Sequence, residues 1–106
     1  MSASQVATYG RVSDMYLVLE YDLVDDYLER RPEFREEHLG LARAAHERGE
    51  LALAGALTDP ADRALLVWST EDPAVVEAFA AGDPYVRNVL VRERRVRTWN
   101  VVVGAD

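Results

Sequence analysis

Two histidines, no cysteine and no lysine bound the chemistry open to this 106-residue chain, whose 12 basic side chains are all arginine. Zinc–thiolate sites, iron–sulfur clusters and cysteine nucleophiles are excluded, as are Schiff-base lysines, P-loop lysines and Ser–Lys dyads. His38 falls at helical spacing with Phe34, Leu41, Ala42 and Ala45. On that apolar face it is either a core-edge histidine donating to a carbonyl or a general acid–base facing a pocket between helix and sheet. Imidazole suits the second role because its unperturbed pKa lies at about 6.5. His46 shares its arc with Glu47 and Arg48 and reads as a surface or helix-end histidine. Asp83 precedes Pro84, the grammar of a helix N-cap. A capping carboxylate has a second oxygen, which fixes a histidine tautomer wherever it reaches an imidazole. Arg31 and Arg35 stand one turn apart, and Arg35 shares an arc with His38. They either pair with Asp25, Asp26, Glu36 or Glu37, or clamp a carboxylate or enolate, for which planar guanidinium is suited. Tyr16, Tyr21, Tyr27 and Tyr85 can line an apolar pocket, each as a packing residue rather than a catalytic acid. No HExxH, GxGxxG or GxSxG motif occurs, and His38 and His46 are not i,i+4 partners, so no metal or nucleotide constellation is expected.

These residues need elements to position them. Tyr16-Leu17-Val18-Leu19-Glu20-Tyr21 has strand propensity, and the acidic run Asp22 to Asp26 is expected to end it. Tyr27-Leu28 reads as a turn or short helix. Pro32 then opens a helix over about 32–48, with glutamates in its first turns and Gly49 at its end. Leu51 to Leu57 and Ala64 to Ser69 read as an antiparallel hairpin around the turn Thr58 to Asp62. Asp72-Pro73 starts a second helix that Gly82 stops, and Asp83-Pro84 starts a short turn carrying Tyr85. Val91 to Val103 alternates arginines with Val96, Trp99, Val101 and Val103, as a long strand with one wet face. The order β-α-β-β-α-β packs economically as a ferredoxin-like α+β fold, a four-stranded antiparallel sheet with two helices on one face. The uncovered face calls for a second subunit, hence a homodimer. One domain over 15–106 is expected, preceded by a leader over 1–14 in which Val6 to Val12 can pair as an edge strand.

Composition narrows the partners. Hydrophobic types make up 49 % and charged types 29 %, which suits a globular core. The formal net charge is -7, a poor match for nucleic acid, so Arg92 to Arg97 read as a solvated strand face or dimer salt bridges. No apolar run approaches the length of a membrane span and no export signal is recognisable, so the expectation is a cytoplasmic protein.

The ordered set Met15-Tyr16-Leu17-Val18, Arg31…Arg35…His38-Leu39, Gly49-Glu50-Leu51 leading to Ala54-Gly55, Asp83-Pro84-Tyr85 and the late aromatic Trp99 resembles the YciI-like, or YCII-related, family. The resemblance spans roughly residues 15–103, and Arg-x-x-His-Leu with Asp-Pro-Tyr is its most specific part. It implies a small dimeric ferredoxin-like protein in which a histidine and the Asp-Pro aspartate form a dyad, here His38 and Asp83, with Arg35 beside them. One branch of that family removes chloride from a chlorinated hydroxyhydroquinone. The chain departs from the family pattern at Gly55-Ala56, where Gly-Pro is usual, in the short loop Thr58 to Arg63, and at Thr98, where proline commonly precedes the aromatic. These changes fall around the pocket mouth.

The resulting expectation is a lyase or isomerase-type enzyme needing no metal, flavin or nicotinamide. His38 takes a proton from a small acidic aromatic, quinol or lactone-like substrate, and Asp83 orients His38. Arg31, Arg35, Tyr16 and Tyr85 bind the substrate, a small anionic or phenolic molecule. The competing expectation is a non-catalytic dimeric module that binds a small molecule or docks on an enzyme. Two further readings are a structural role for His38 and Asp83, and a cofactor-free quinol oxidation that oxygen uptake would reveal.

Overall fold

The computed structural model describes residues 15–104, so the leader and the pairing of Val6 to Val12 lie outside the described residues. The chain runs β1 (Met15–Leu23), α1 (Tyr27–Glu47), β2 (Leu51–Ala56), β3 (Arg63–Trp68), α2 (Pro73–Gly82), α3 (Pro84–Arg87) and β4 (Val91–Asn100). The sheet order is β2-β3-β1-β4, with every neighbouring pair antiparallel. This is the ferredoxin-like arrangement expected from the sequence, with the Asp-Pro turn realised as the one-turn helix α3.

Strand alternation sorts the side chains. Leu17, Leu19, Tyr21 and Leu23 join Leu66 and Trp68 in the core with Ala45, Val76 and Ala80 of the helices. Val18 and Val67, paired across β1 and β3, point to the other face, which no helix covers. There Arg95 bridges Glu20 and Asp22, and Arg63 also pairs with Asp22.

Three boundaries differ by more than one residue from the sequence expectation. Helix α1 begins at Tyr27 and carries Pro32 inside it. Tertiary contacts hold the early turn: Tyr27 is buried edge-on against Tyr85, and the Arg30 guanidinium donates to the carbonyls of Asn88 and Val89. Pro32 has no N–H to donate to the Leu28 carbonyl, on a turn where Leu28 itself faces solvent. Strand β1 continues through Asp22 and Leu23, because ion pairs hold Asp22 and Leu23 is buried. β4 stops at Asn100, leaving Val102 and Val103 exposed.

The end of α1 follows the sequence. Gly49 adopts φ +83, its N–H bonds the His46 carbonyl, and the Glu50 N–H bonds the Ala45 carbonyl. This paired closure requires a residue tolerant of left-handed backbone. It aims the chain back along α1 into β2. No helix among the described residues is long and apolar enough to cross a membrane.

Candidate active site

Asp83 sits where α2 ends and α3 begins, in extended backbone. Proline at 84 starts the next helix without needing an N–H donor, and the Asp83 side chain turns inward to full burial. Its Oδ1 accepts the Tyr85 N–H at 3.0 Å and lies 2.9 Å from His38 Nδ1. Its Oδ2 accepts the Tyr21 hydroxyl at 2.7 Å. One oxygen therefore serves both the cap and the imidazole. The second oxygen, which the sequence leaves open to an imidazole, is held by Tyr21 instead. Three donors converge on the carboxylate, which is how a buried acidic group is tolerated. As an acceptor it fixes the His38 proton on Nδ1 and leaves Nε2 as the lone-pair nitrogen.

His38 comes from the middle of α1. Its ring stacks on Tyr85, with centroids 3.9 Å apart and planes 10° from parallel. Phe79 closes a further side edge-on at 6.4 Å. The imidazole is thus fixed through its edge by Asp83 and through its face by Tyr85. Burial, reinforced by the charge of Asp83, pushes the Tyr21 hydroxyl far above the ordinary tyrosine range, so it remains a donor. Burial and then Tyr27 push Tyr85 up to about 12, against the opposing pull of Arg35 and Arg31.

His38 opens onto a cavity of about 420 Å³ between α1 and the β2–β3 strands. The space exists because its walls are small: Ala42 on the helix, and Ala54, Gly55, Ala56 and Ala64 on the strands. Arg31, Arg35 and Tyr85 line it, as do Tyr21, Arg43 and His46. The predicted residues Arg31, Arg35, His38 and Tyr85 are therefore brought together, with Asp83 behind His38. Tyr16 is not among them. It lies beside a separate, smaller depression with Leu17, Thr70 and Thr98. Strand parity explains this: Tyr16 and Tyr21 are five residues apart, so they project from opposite faces.

Charge pairing differs along the chain. Arg48, Arg63, Arg87, Arg92, Arg94 and Arg95 each pair with a carboxylate. Among the described residues Arg30, Arg31, Arg35, Arg43 and Arg97 pair with none; Arg30 donates to backbone carbonyls and Arg97 stands beside Val18 on the open sheet face, while Arg31, Arg35 and Arg43 line the cavity. Arg31 instead lies over the Tyr27 ring, 5.4 Å from its centroid. The sequence reading missed Tyr21 as a partner of Asp83 and Arg43 as a cavity residue; His46 is an exposed residue of the last helical turn, as expected, and also lines the open end of the cavity. A signal for Arg43 was present: positions 31, 35, 39 and 43 form one ladder at i,i+4 spacing. Among the described residues no group of three or more His, Asp or Glu side chains is placed to hold a metal ion.

A model of the YCII-related domain matches residues 15–100. No curated protein matches the chain in sequence. Among solved structures, the chain is similar to a 5-chloro-2-hydroxyhydroquinone dehydrochlorinase from Burkholderia phenoliruptrix in complex with 2,5-dihydroxybenzoquinone. The TM-score is 0.63 at 16 % identity, over 80 % of this chain and 92 % of that one. At that identity the likeness is one of fold.

Proposed function

The chain belongs to the YCII-related domain family, and from that premise we propose a lyase or isomerase-type enzyme that works without a cofactor on a small acidic aromatic, quinol or lactone-like substrate. The observation that carries this reading is the 2.9 Å contact between His38 Nδ1 and the buried Asp83 carboxylate, behind an imidazole that faces the cavity. His38 Nε2 accepts the proton of an acidic O–H, and the electron pair of that bond stays on oxygen as a phenolate or enolate. Arg31 and Arg35 hold that anionic oxygen. Asp83 stabilises the imidazolium, a role that needs its carboxylate charge. Returning the proton to a ring carbon gives the keto tautomer, an isomerisation. Where that carbon carries chlorine, loss of a second hydroxyl proton and departure of chloride with the C–Cl electron pair complete an elimination. The net change is loss of hydrogen chloride, which needs no external oxidant. The related dehydrochlorinase, bound to a dihydroxyquinone, supports this substrate class.

Incubation with 5-chloro-2-hydroxyhydroquinone and with unchlorinated quinols in deuterated buffer tests the reading, through chloride release and ring-proton exchange. Both rates should fall in His38→Ala. Rates that do not change in that variant would remove the basis for catalysis. Unpaired Arg31 and Arg35 also favour a second reading, a binding module that holds an anion without transforming it. Saturable binding of 2,5-dihydroxybenzoquinone with no exchange would favour it.

The functional unit in either case is a homodimer through the open sheet face. Leu53 and Trp99 on that face are 65 % and 50 % exposed, whereas Val18 and Val67 between them are already buried within the single chain. A second copy would cover the exposed Leu53 and Trp99.

A further inference from the structure

The cavity continues past the dyad toward the C-terminal end of α1, where Arg43 and His46 line it. With a rise of 1.5 Å per residue, they stand about 8 and about 12 Å along the helix axis from His38. A benzene-sized ligand fills an engineered cavity of about 150 Å³, whereas this cavity measures about 420 Å³. A single quinol ring at His38 leaves the far end empty.

The far end has its own chemistry. Arg43 stands one turn from Glu47 on the same helix, yet among the described residues it pairs with no carboxylate and lines the cavity instead. His46 is its i,i+3 neighbour. The Leu51 carbonyl accepts from His46 Nδ1 at 2.8 Å, which fixes that ring at the cavity end. Between the two ends the wall is apolar, from Ala42 and Leu39 on α1 and Ala54 on β2. A guanidinium beyond an apolar stretch suits an anion at the end of an apolar spacer. The helix terminus itself sets the size of that charge. The last carbonyls of α1 carry the negative end of its macrodipole, so a single arginine there suits a monoanionic carboxylate better than a phosphate dianion.

Building on the dyad reading, we infer that the natural ligand is an elongated phenolic or enolic carboxylic acid, with its acidic ring at His38 and its carboxylate on Arg43. Arg43 then determines specificity and takes no part in the proton transfer.

The test uses the full chain and ω-(2,5-dihydroxyphenyl)alkanoates of increasing spacer length, with hydroquinone and the matching primary amides as probes. Calorimetric titration should show the carboxylates binding on the order of tenfold tighter than the amides, with an optimum where the spacer covers about 8–12 Å. Arg43→Gln should erase that gain while hydroquinone binding stays within about twofold, and Arg43→Lys should restore part of it. In NMR spectra the His46 ring signals should move with the carboxylates and stay still with the amides. Equal affinity of acids and amides across the series overturns the inference. So does a gain that survives Arg43→Gln, or one abolished by Arg35→Gln alone, since the carboxylate would then lie at the other end. Hydroquinone reports on the dyad end only, so its failure to bind counts against the dyad reading, while the acid–amide difference still judges Arg43.

Discussion

The imidazole of His38 lies flat against the phenol ring of Tyr85, 3.9 Å away and 10° from parallel. Tyr85 is itself held by Tyr27 at a plane angle of 88°, and its N–H is bound to Asp83. The Asp83–Tyr85 segment therefore grips the histidine twice, by hydrogen bond at the edge and by stacking on the face. Stacking needs a flat ring and no hydroxyl, and with Tyr85 pushed up to about 12 its hydroxyl is no base at neutral pH. Tyr85→Phe should keep turnover within about threefold, whereas Tyr85→Leu frees the ring and should cost about 10²-fold, the scale of a 1 Å misplacement. Parallel measurement of kcat in the two variants checks this.

Replacing Asp83 by asparagine keeps the shape and removes the charge. The amide oxygen can still serve Tyr85 and His38, while its NH₂ faces the Tyr21 oxygen, which can accept. The fold should survive with a loss of about 1–3 kcal/mol, seen in urea titration. The amide oxygen keeps the proton of the neutral imidazole on Nδ1, but it no longer carries the charge that stabilises the imidazolium. The ¹⁵N shifts of neutral His38 should stay well separated, while turnover should drop about 10²–10⁴-fold. Unchanged turnover would reduce Asp83 to a helix cap.

Much of this arrangement was legible in the chain because the signals were local. Asp83-Pro84 announces a cap, Gly49 announces a helix end, and the aromatic and aliphatic residues Tyr16 to Tyr21 announce a strand. The reading failed where long-range contacts decided. The early start of α1 depends on Tyr27 meeting Tyr85 and on Arg30 reaching Asn88 and Val89, fifty-odd residues away in sequence. Tyr16 was grouped with Tyr21 by residue type, though strand parity separates them. The Tyr21–Asp83 bond spans 62 positions, and no local pattern encodes it.

That bond gives the protein an alkaline limit. Burial first, then Asp83, raises the Tyr21 pKa above its ordinary value of 10.0. Above that pH the unfolded chain releases the phenolic proton and the folded chain keeps it. Stability is therefore full below the ordinary tyrosine value and falls as pH rises above it, by about 1.4 kcal/mol per pH unit for a fully retained proton. Tyr21→Phe should cost about 1–2 kcal/mol at neutral pH, for a lost bond to a buried carboxylate. It should also flatten the decline of stability above the ordinary tyrosine range. Thermal melts from neutral to strongly alkaline pH separate the two effects.

Arg31 and Arg35 form a like-charge i,i+4 pair on α1, an arrangement that destabilises a helix by about 0.2–0.5 kcal/mol. Neither is paired with a carboxylate among the described residues, so removing one charge should leave the melting temperature level or slightly higher. Binding should respond in the opposite sense. Arg35→Gln should weaken 2,5-dihydroxybenzoquinone on the order of tenfold, since a charge-assisted contact to an anionic oxygen is lost. A variant that melts earlier and binds normally would assign the arginine to the fold.

The open sheet face offers the last test. Trp99 on β4 and Leu53 on β2 stand toward opposite edges of it, exposed at 50 % and 65 %. If two copies meet there, Trp99→Arg brings extra positive charge and a lost aromatic anchor into the interface. Truncating a buried aromatic of that kind typically costs about 2 kcal/mol or more, so the dimer dissociation constant should rise about 30-fold or more. Leu28→Asp, at an equally exposed leucine on α1, should leave association unchanged. Sedimentation equilibrium over a range of concentrations reads both. A wild-type chain that stays monomeric at every concentration would mean that Leu53 and Trp99 are simply solvated.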